Sequence, residues 1–368
     1  MKYVRPTSLF IIILAIALSV FIYSSHTSKV YALLGPEGSV STLYSSLTTD
    51  KVKNNKITAK FFGLDQQVSV FDDGKFTNHE KSIYLSPNRR LLAITAWSYE
   101  EGDVPLTYIT DISGNKITEP HIGSFSSWSP DSTKVLVYRS NTNNEKGREI
   151  YVLDTNGTYY NSNLPVGVIN AHFSPIDISL AYSFTPNVTD HSDIWIRDEN
   201  GNNKLLLKGE NDIFAWLTWS PDGSKIAFLR EKMKEVGPSN RQLWVMDSQG
   251  NNLKQIISSV VWNYPPIWSS DSTKLLLNQQ EDQNPSSGSH QYDLLKSNVV
   301  EYSFITDSSR KVTNFIQKRV LHPNYSSDGQ GIVFISNQSG YDEVWIEKNS
   351  ESLQLTNDRE EKRYPIIP

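Results

Sequence analysis

A Ser-Pro-Asp-like turn leading into an apolar run occurs six times in the 368 residues of this chain, and no other feature restricts its fold so strongly. The fullest copy is Trp219-Ser220-Pro221-Asp222-Gly223-Ser224-Lys225, which leads into Ile226-Ala227-Phe228-Leu229. The others begin at Ser86, Ser129, Ser174, Ser269 and Ser326, so the leading Ser recurs every 43 to 57 positions. Each residue type has its own physical reason: Pro presets φ, Asp or Asn caps its own backbone, and Gly takes a positive φ without steric cost. The flanking runs therefore predict the two strands of a hairpin.

A second turn, headed by an acid, follows a further strand-like run in each unit. Its seven copies start at Asp72, Asp111, Asp154, Asp198, Asp247, Asp307 and Glu347, after runs such as Ile194-Trp195-Ile196 and Leu243-Trp244-Val245-Met246. Each unit thus reads as four strands, A to D. A period of about 40 to 50 residues with four strands per unit predicts an all-β fold of stacked β-propeller blades, since no blade buries both of its faces alone.

Six turns of one kind against seven of the other are reconciled at the chain ends. Arg363-Tyr364-Pro365-Ile366-Ile367 resembles Asn263-Tyr264-Pro265-Pro266-Ile267 at the start of an A strand, whereas Ile57 to Phe62, Val68 to Phe71 and Lys75 to Thr77 read as B, C and D strands with no A strand before them. The prediction is a seven-bladed β-propeller of four-stranded antiparallel blades, closed by the C-terminal strand so that no sheet edge stays free. Six blades is the alternative count.

The N-terminus is of different material. Lys2 and Arg5 precede an uncharged apolar run from Leu9 to Tyr23, which predicts a hydrophobic helix at residues 1–32: a cleaved signal peptide or a membrane anchor with its basic end in the cytoplasm. Residues 33–55, rich in Ser, Thr, Gly and Lys, read as a linker, leaving 56–368 for the propeller. Everything after the first segment is then extracytoplasmic, in the cell envelope or secreted. The absence of Cys excludes thiolate zinc sites and Cys nucleophiles, and a net charge of −5 excludes a phosphate-seeking nucleic-acid binder.

Reactive constellations are missing. There is no Gly-x-Ser-x-Gly elbow, no Walker-type loop and no His-Glu-x-x-His, so no catalytic, cofactor-binding or metal residue is assigned and no cofactor is expected. The acid-headed turns lack the alternating ligands and twelfth-position Glu of an EF-hand, and His79, His121, His172 and His322 sit at unequal offsets from the repeat Ser. Segments assigned to the inner strands, such as Trp216 to Trp219 and His322 to Tyr325, carry no charge. Of the nine Trp, Trp128, Trp195, Trp219, Trp244, Trp268 and Trp345 occupy repeat-equivalent positions that interblade packing explains, while Trp97, Trp216 and Trp262 fall outside that register. Trp216, Trp262, Tyr264 and His322 are therefore the candidate ligand- or partner-binding residues. The long variable loops, above all Gln280 to Ser297, form a second candidate surface.

The Trp219 repeat, with Leu243-Trp244-Val245-Met246-Asp247 and Leu253-Lys254-Gln255-Ile256 after it, resembles the repeats of TolB-type β-propellers, relatives of the WD-repeat class. Similar blades form the non-catalytic propeller of prolyl oligopeptidase-type peptidases. The resemblance covers about residues 57–368 and implies a fold more than an activity, because propellers host many functions. Residues 33–55 read as too short for the N-terminal domain that TolB carries, and no α/β-hydrolase domain is expected from the residues given. The expected function is a non-catalytic protein-binding or scaffolding module of the cell envelope. A propeller hydrolase or lyase, or a carbohydrate-binding module, is the alternative.

Overall fold

The computed structural model describes residues 28–34, 40–47, 57–62, 67–71, 82–98, 104–111, 115–140, 148–186, 191–232, 241–261, 264–281, 296–316, 318–326, 329–357 and 361–366. All regular secondary structure in them is strand. The apolar run at residues 9–23, with the expected helix, lies outside the described residues, and among those described no helix is long and apolar enough to cross a membrane.

The N-terminal segment contributes β1 (Ser28–Leu34), β2 (Val40–Leu47), β3 (Ile57–Phe62) and β4 (Gln67–Phe71). Six four-stranded antiparallel sheets of consecutive strands follow. The first holds β5 (Ser82–Leu85), β6 (Leu91–Ser98), β7 (Val104–Asp111) and β8 (His121–Ile122), and the second β9 (Ser124–Trp128), β10 (Lys134–Ser140), β11 (Arg148–Asp154) and β12 (Tyr159–Asn161). The third comprises β13 (Val168–Phe173), β14 (Leu180–Phe184), β15 (Asp193–Arg197) and β16 (Asn203–Leu207), and the fourth β17 (Asp212–Trp219), β18 (Lys225–Lys232), β19 (Arg241–Asp247) and β20 (Lys254–Ser258). The fifth contains β21 (Ile267–Trp268), β22 (Lys274–Gln280), β23 (Ser297–Ser303) and β24 (Ser308–Lys311), and the sixth β25 (Val320–Tyr325), β26 (Ile332–Ser336), β27 (Glu343–Lys348) and β28 (Glu351–Gln354). Last in the chain is β29 (Glu361–Ile366).

The terminal strands form a five-stranded sheet in the order β29-β2-β1-β3-β4. The C-terminal strand does join the N-terminal ones, but its partner differs from the expectation. It pairs antiparallel with β2, whereas β3, the anticipated neighbour, lies beyond β1 and runs parallel to it. Strands β1 and β2 occupy sequence read as leader and linker. Their Val30, Tyr31, Val40, Thr42 and Tyr44 are strand-forming residues whose signal the surrounding Ser and Thr disguised. Residues 75–77, expected as a D strand, lie outside the described residues.

Each Ser-Pro-Asp turn is closed from within by hydrogen bonds. Ser220 N–H donates to Lys225 O at 2.9 Å and Lys225 N–H returns a bond to Ser220 Oγ at 2.9 Å. Ser220 Oγ donates to Asp222 Oδ1 at 2.6 Å, and that oxygen also accepts Ser224 N–H at 3.0 Å. Ser129 with Asp131, Ser269 with Asp271 and Ser86 with Asn88 repeat the pattern. The third residue after the Ser takes a left-handed φ in five copies: Arg89 59°, Ser132 62°, Gly223 70°, Ser272 60° and Gly329 66°.

At the second turn, Asp111, Asp154, Asp198 and Asp247 each accept backbone N–H groups from the residues they cap. The Asp307 copy is displaced. Lys274 pairs with Ser303 where Lys225 pairs with Asp247, so Ser303 heads that turn and Asp307 closes it, bridging to Lys254 of the preceding sheet.

Strands β14, β18 and β26 hold four or five consecutive buried residues because neighbouring sheets cover both faces. Leu136 and Val152 pack with Ala171, Phe173 and Tyr182 of the next sheet; Ala181 and Ile194 pack with Phe214 and Phe228. Burial of one such side chain contributes about 2 kcal/mol. Three repeat-equivalent indoles tie inner strand to inner strand. Trp128 Nε1 donates to Tyr84 O at 3.0 Å, Trp219 Nε1 to His172 O at 3.4 Å and Trp268 Nε1 to Thr218 O at 3.3 Å, each reaching the preceding sheet. In the third sheet the residue is Phe173, which has no indole donor, and its backbone N–H donates to Ser127 Oγ at 3.0 Å instead.

Candidate functional site

Where the inner strands converge, β5, β9, β13 and β25 share a recess of about 460 Å³. Tyr84 and Arg89 come from β5 and its turn, Phe125, Ser126, Ser127 and Trp128 from β9, His172 from β13 and Asn324 from β25. Ser86, Pro87 and Arg89 belong to the turn after β5, so the recess opens at the face of the short turns.

One wall is aromatic. Tyr84 and Phe125 stack at 4.0 Å and 16°, and Trp128 lies tilted 6.4 Å from Phe125. Most of the polar lining is already engaged by the fold. Ser86 Oγ donates to Asn88, Ser126 Oγ donates to Ala171 O at 2.6 Å, Ser127 Oγ accepts Phe173 N–H, and the Trp128 indole is bound to Tyr84 O. Among the described residues the side chains of Arg89 and Asn324 have no hydrogen-bond or ion-pair partner, and no carboxylate lines the recess.

His172 is held neutral. Leu217 N–H donates to Asn170 Oδ1 at 2.8 Å, which fixes the amide and aims its Nδ2 at His172 Nε2, 3.3 Å away. Nε2 is thereby the acceptor and the imidazole proton sits on Nδ1. Burial alone pushes its pKa down to about 4.

The residues singled out from sequence lie elsewhere. Tyr264 and His322 do meet, edge to face at 4.5 Å and 82°. Trp216 packs half-buried against the cluster of Val260, Trp268 and Leu243, and Trp262 lies outside the described residues. Trp216 and His322 each stand four residues before the turn Ser, in β-bulges with φ of 55° and 51°. For side chains of this size that conformation is strained and is held by the surrounding packing. Most of the long variable loops also lie outside the described residues. Strand β17 begins earlier than expected and includes Asp212, which is buried and held by two 2.9 Å bonds from Arg230. Of the other histidines, His121 stacks on Tyr159 at 4.4 Å between two sheets.

The recess itself was missed from sequence. Its one legible signal is Arg89, a long charged residue at the turn position where two copies carry Gly and two carry Ser.

No family model matches the chain, and no curated protein matches it. Solved structures do. An oligogalacturonate lyase from Vibrio parahaemolyticus superposes with a TM-score of 0.55 at 13% identity, over 77% of this chain and 80% of that one. The β-propeller domain of the trilobed protease from Pyrococcus furiosus, described as having an open velcro topology, gives 0.52 at 14% identity over 77% and 86%. The fold is a β-propeller. The tricorn protease adds a match at 0.53 and 10% identity, over 92% of this chain and 34% of that one. The resemblance of the repeats to TolB-type propellers therefore holds at the level of the fold, and at these identities it extends no further.

Proposed function

We propose that this chain is a seven-bladed, extracytoplasmic β-propeller that acts as a non-catalytic protein-binding module. The observation that carries the binding role is the composition of the recess: stacked aromatics and engaged hydroxyls, a neutral His and, among the described residues, no carboxylate. Such a lining recognises a ligand but offers no acid–base pair for proton transfer. Seven blades are favoured by the pairing of β29 with β2, which makes the terminal strands a seventh sheet beside the six regular ones. The extracytoplasmic placement rests on the basic-then-apolar N-terminal sequence.

The likeness to the oligogalacturonate lyase keeps a lyase as second reading. A lyase of that name was solved in complex with manganese. Among the described residues of this chain no three His, Asp or Glu come together as a metal-holding group, so the described donors do not fit that ion.

A photo-reactive residue placed at Tyr84, with one at exposed Leu205 as control, tests the reading in intact cells. The expected result is one protein captured from position 84 and not from 205. Manganese-dependent cleavage of oligogalacturonate by the purified chain, without such capture, would replace the binding role with the lyase.

A further inference from the structure

We propose that the recess binds a carboxylate attached to an apolar or aromatic group, of the kind a partner protein presents at a C-terminal aromatic residue, with Arg89 as its anchor. This rests on the reading of the recess as a binding site and names the chemistry that site selects.

Few polar groups of the recess remain unengaged. The hydroxyls of Ser86, Ser126 and Ser127 and the indole N–H of Trp128 are bound within the protein. The side chains left for a ligand are the Arg89 guanidinium, the Asn324 amide and the Nδ1–H of His172, contributed by three different sheets. Arginine offers only donors, in a planar fork that matches a carboxylate, and Asn324 adds amide N–H donors. Among the described residues no acid lies on the lining to neutralise Arg89. An anionic acceptor is therefore the complementary group.

The aromatic wall sets the rest of the ligand. Tyr84 and Phe125 stack on each other and, with Trp128 beside them, make that wall of the recess apolar. A flat or apolar group gains from displacing water there. A sugar acid also carries a carboxylate, but its several hydroxyls need partners, and the Ser hydroxyls are engaged. Leaving such groups buried and unpaired costs affinity. The observations favour the apolar carboxylate over the uronate.

Backbone geometry supplies the discriminating variant. Arg89 adopts φ 59° at the position held by Gly223 and Gly329 in other copies. Arg89→Gly therefore removes the guanidinium while relieving the left-handed backbone, so loss of binding is not loss of fold.

The experiment is isothermal titration of the full chain with N-acetylphenylalanine, its neutral amide and galacturonic acid, repeated on Arg89→Gly and Asn324→Ala. The expected result is at least about tenfold tighter binding of the acid than of the amide in the native protein, with that preference lost in Arg89→Gly and reduced in Asn324→Ala. Equal binding of acid and amide, a preference that survives Arg89→Gly, tighter binding of galacturonic acid, or no binding of any probe overturns the proposal. Persistence of the cross-link at position 84 alongside any of these results leaves the protein-binding role intact and removes only the carboxylate anchor.

Discussion

His172 makes part of the stability of this propeller sensitive to pH in the mildly acidic range. The unfolded chain has an ordinary imidazole near 6.5, whereas burial holds the folded one at about 4. The sign follows directly: as pH falls below about 6.5 the unfolded state takes up a proton that the folded state refuses, so stability is full above that value and declines toward pH 4. Between about pH 7.5 and pH 5 this linkage removes about 2 kcal/mol, from about 1.4 kcal/mol per unit of displacement less the fraction not yet titrated. Protonation also places Nε2–H against the Asn170 Nδ2 donor, and that amide cannot turn without presenting its NH₂ to the Leu217 N–H. The assay is urea unfolding of native protein and His172→Gln at the two pH values, in which titrations of all other groups cancel between the proteins. The native protein is expected to lose about 2 kcal/mol more than the variant on acidification. Equal losses in the two proteins, or an imidazole of His172 that titrates near 6.5 by NMR, refute the reasoning.

The other predictions concern the turns, the indole ties and the closing strand. Trp128→Phe keeps an aromatic ring but deletes the bond to Tyr84 O and trims the indole out of a packed cluster, and thermal or urea unfolding should show a loss of about 2 kcal/mol or more. Arg89→Gly should raise stability by about 1 kcal/mol in the same measurement, because glycine takes the left-handed φ without strain. For the Asp222 carboxyl, desolvation is outweighed by bonds from Ser220 and Ser224 and by the Lys225 charge, which together hold it at about 2. The native protein should therefore keep this contribution above pH 3.8 and lose it as pH falls through about 2, while Asp222→Asn shows a flatter acid limb in a pH-melting series. Removing residues 364–368 cuts into β29 and its pairing with β2, and should lower the melting temperature by several degrees. Unchanged melting would rule out closure by that strand.

How much of this was legible beforehand depends on the range of the interactions involved. The Ser220 turn was readable because the bonds that close it from within span at most five residues and every residue type has a local role. The run Ile226 to Leu229 announced a strand covered on both faces, and the structure buries all four side chains. Strand β2 was not readable as a strand, because Ser41, Ser45 and Ser46 conceal the alternation of Val40, Thr42 and Tyr44. Asp307 misled because an acid near a turn looks the same whether it caps that turn or reaches across to Lys254.

By itself the sequence determined the repeat, the chemistry of its turns and the four-strand unit, all properties of contiguous residues. Tertiary structure alone decided which strand receives the C-terminus and which side chains meet at the centre. Tyr84, Phe125, His172 and Asn324 come from four different sheets, and their encounter depends on how those sheets are arranged about one another. Arg89 belongs to both accounts. Its place in the turn is written in the repeat, but its position beside an aromatic wall, with no acid among the described lining residues, exists only once β9, β13 and β25 meet β5 at the recess.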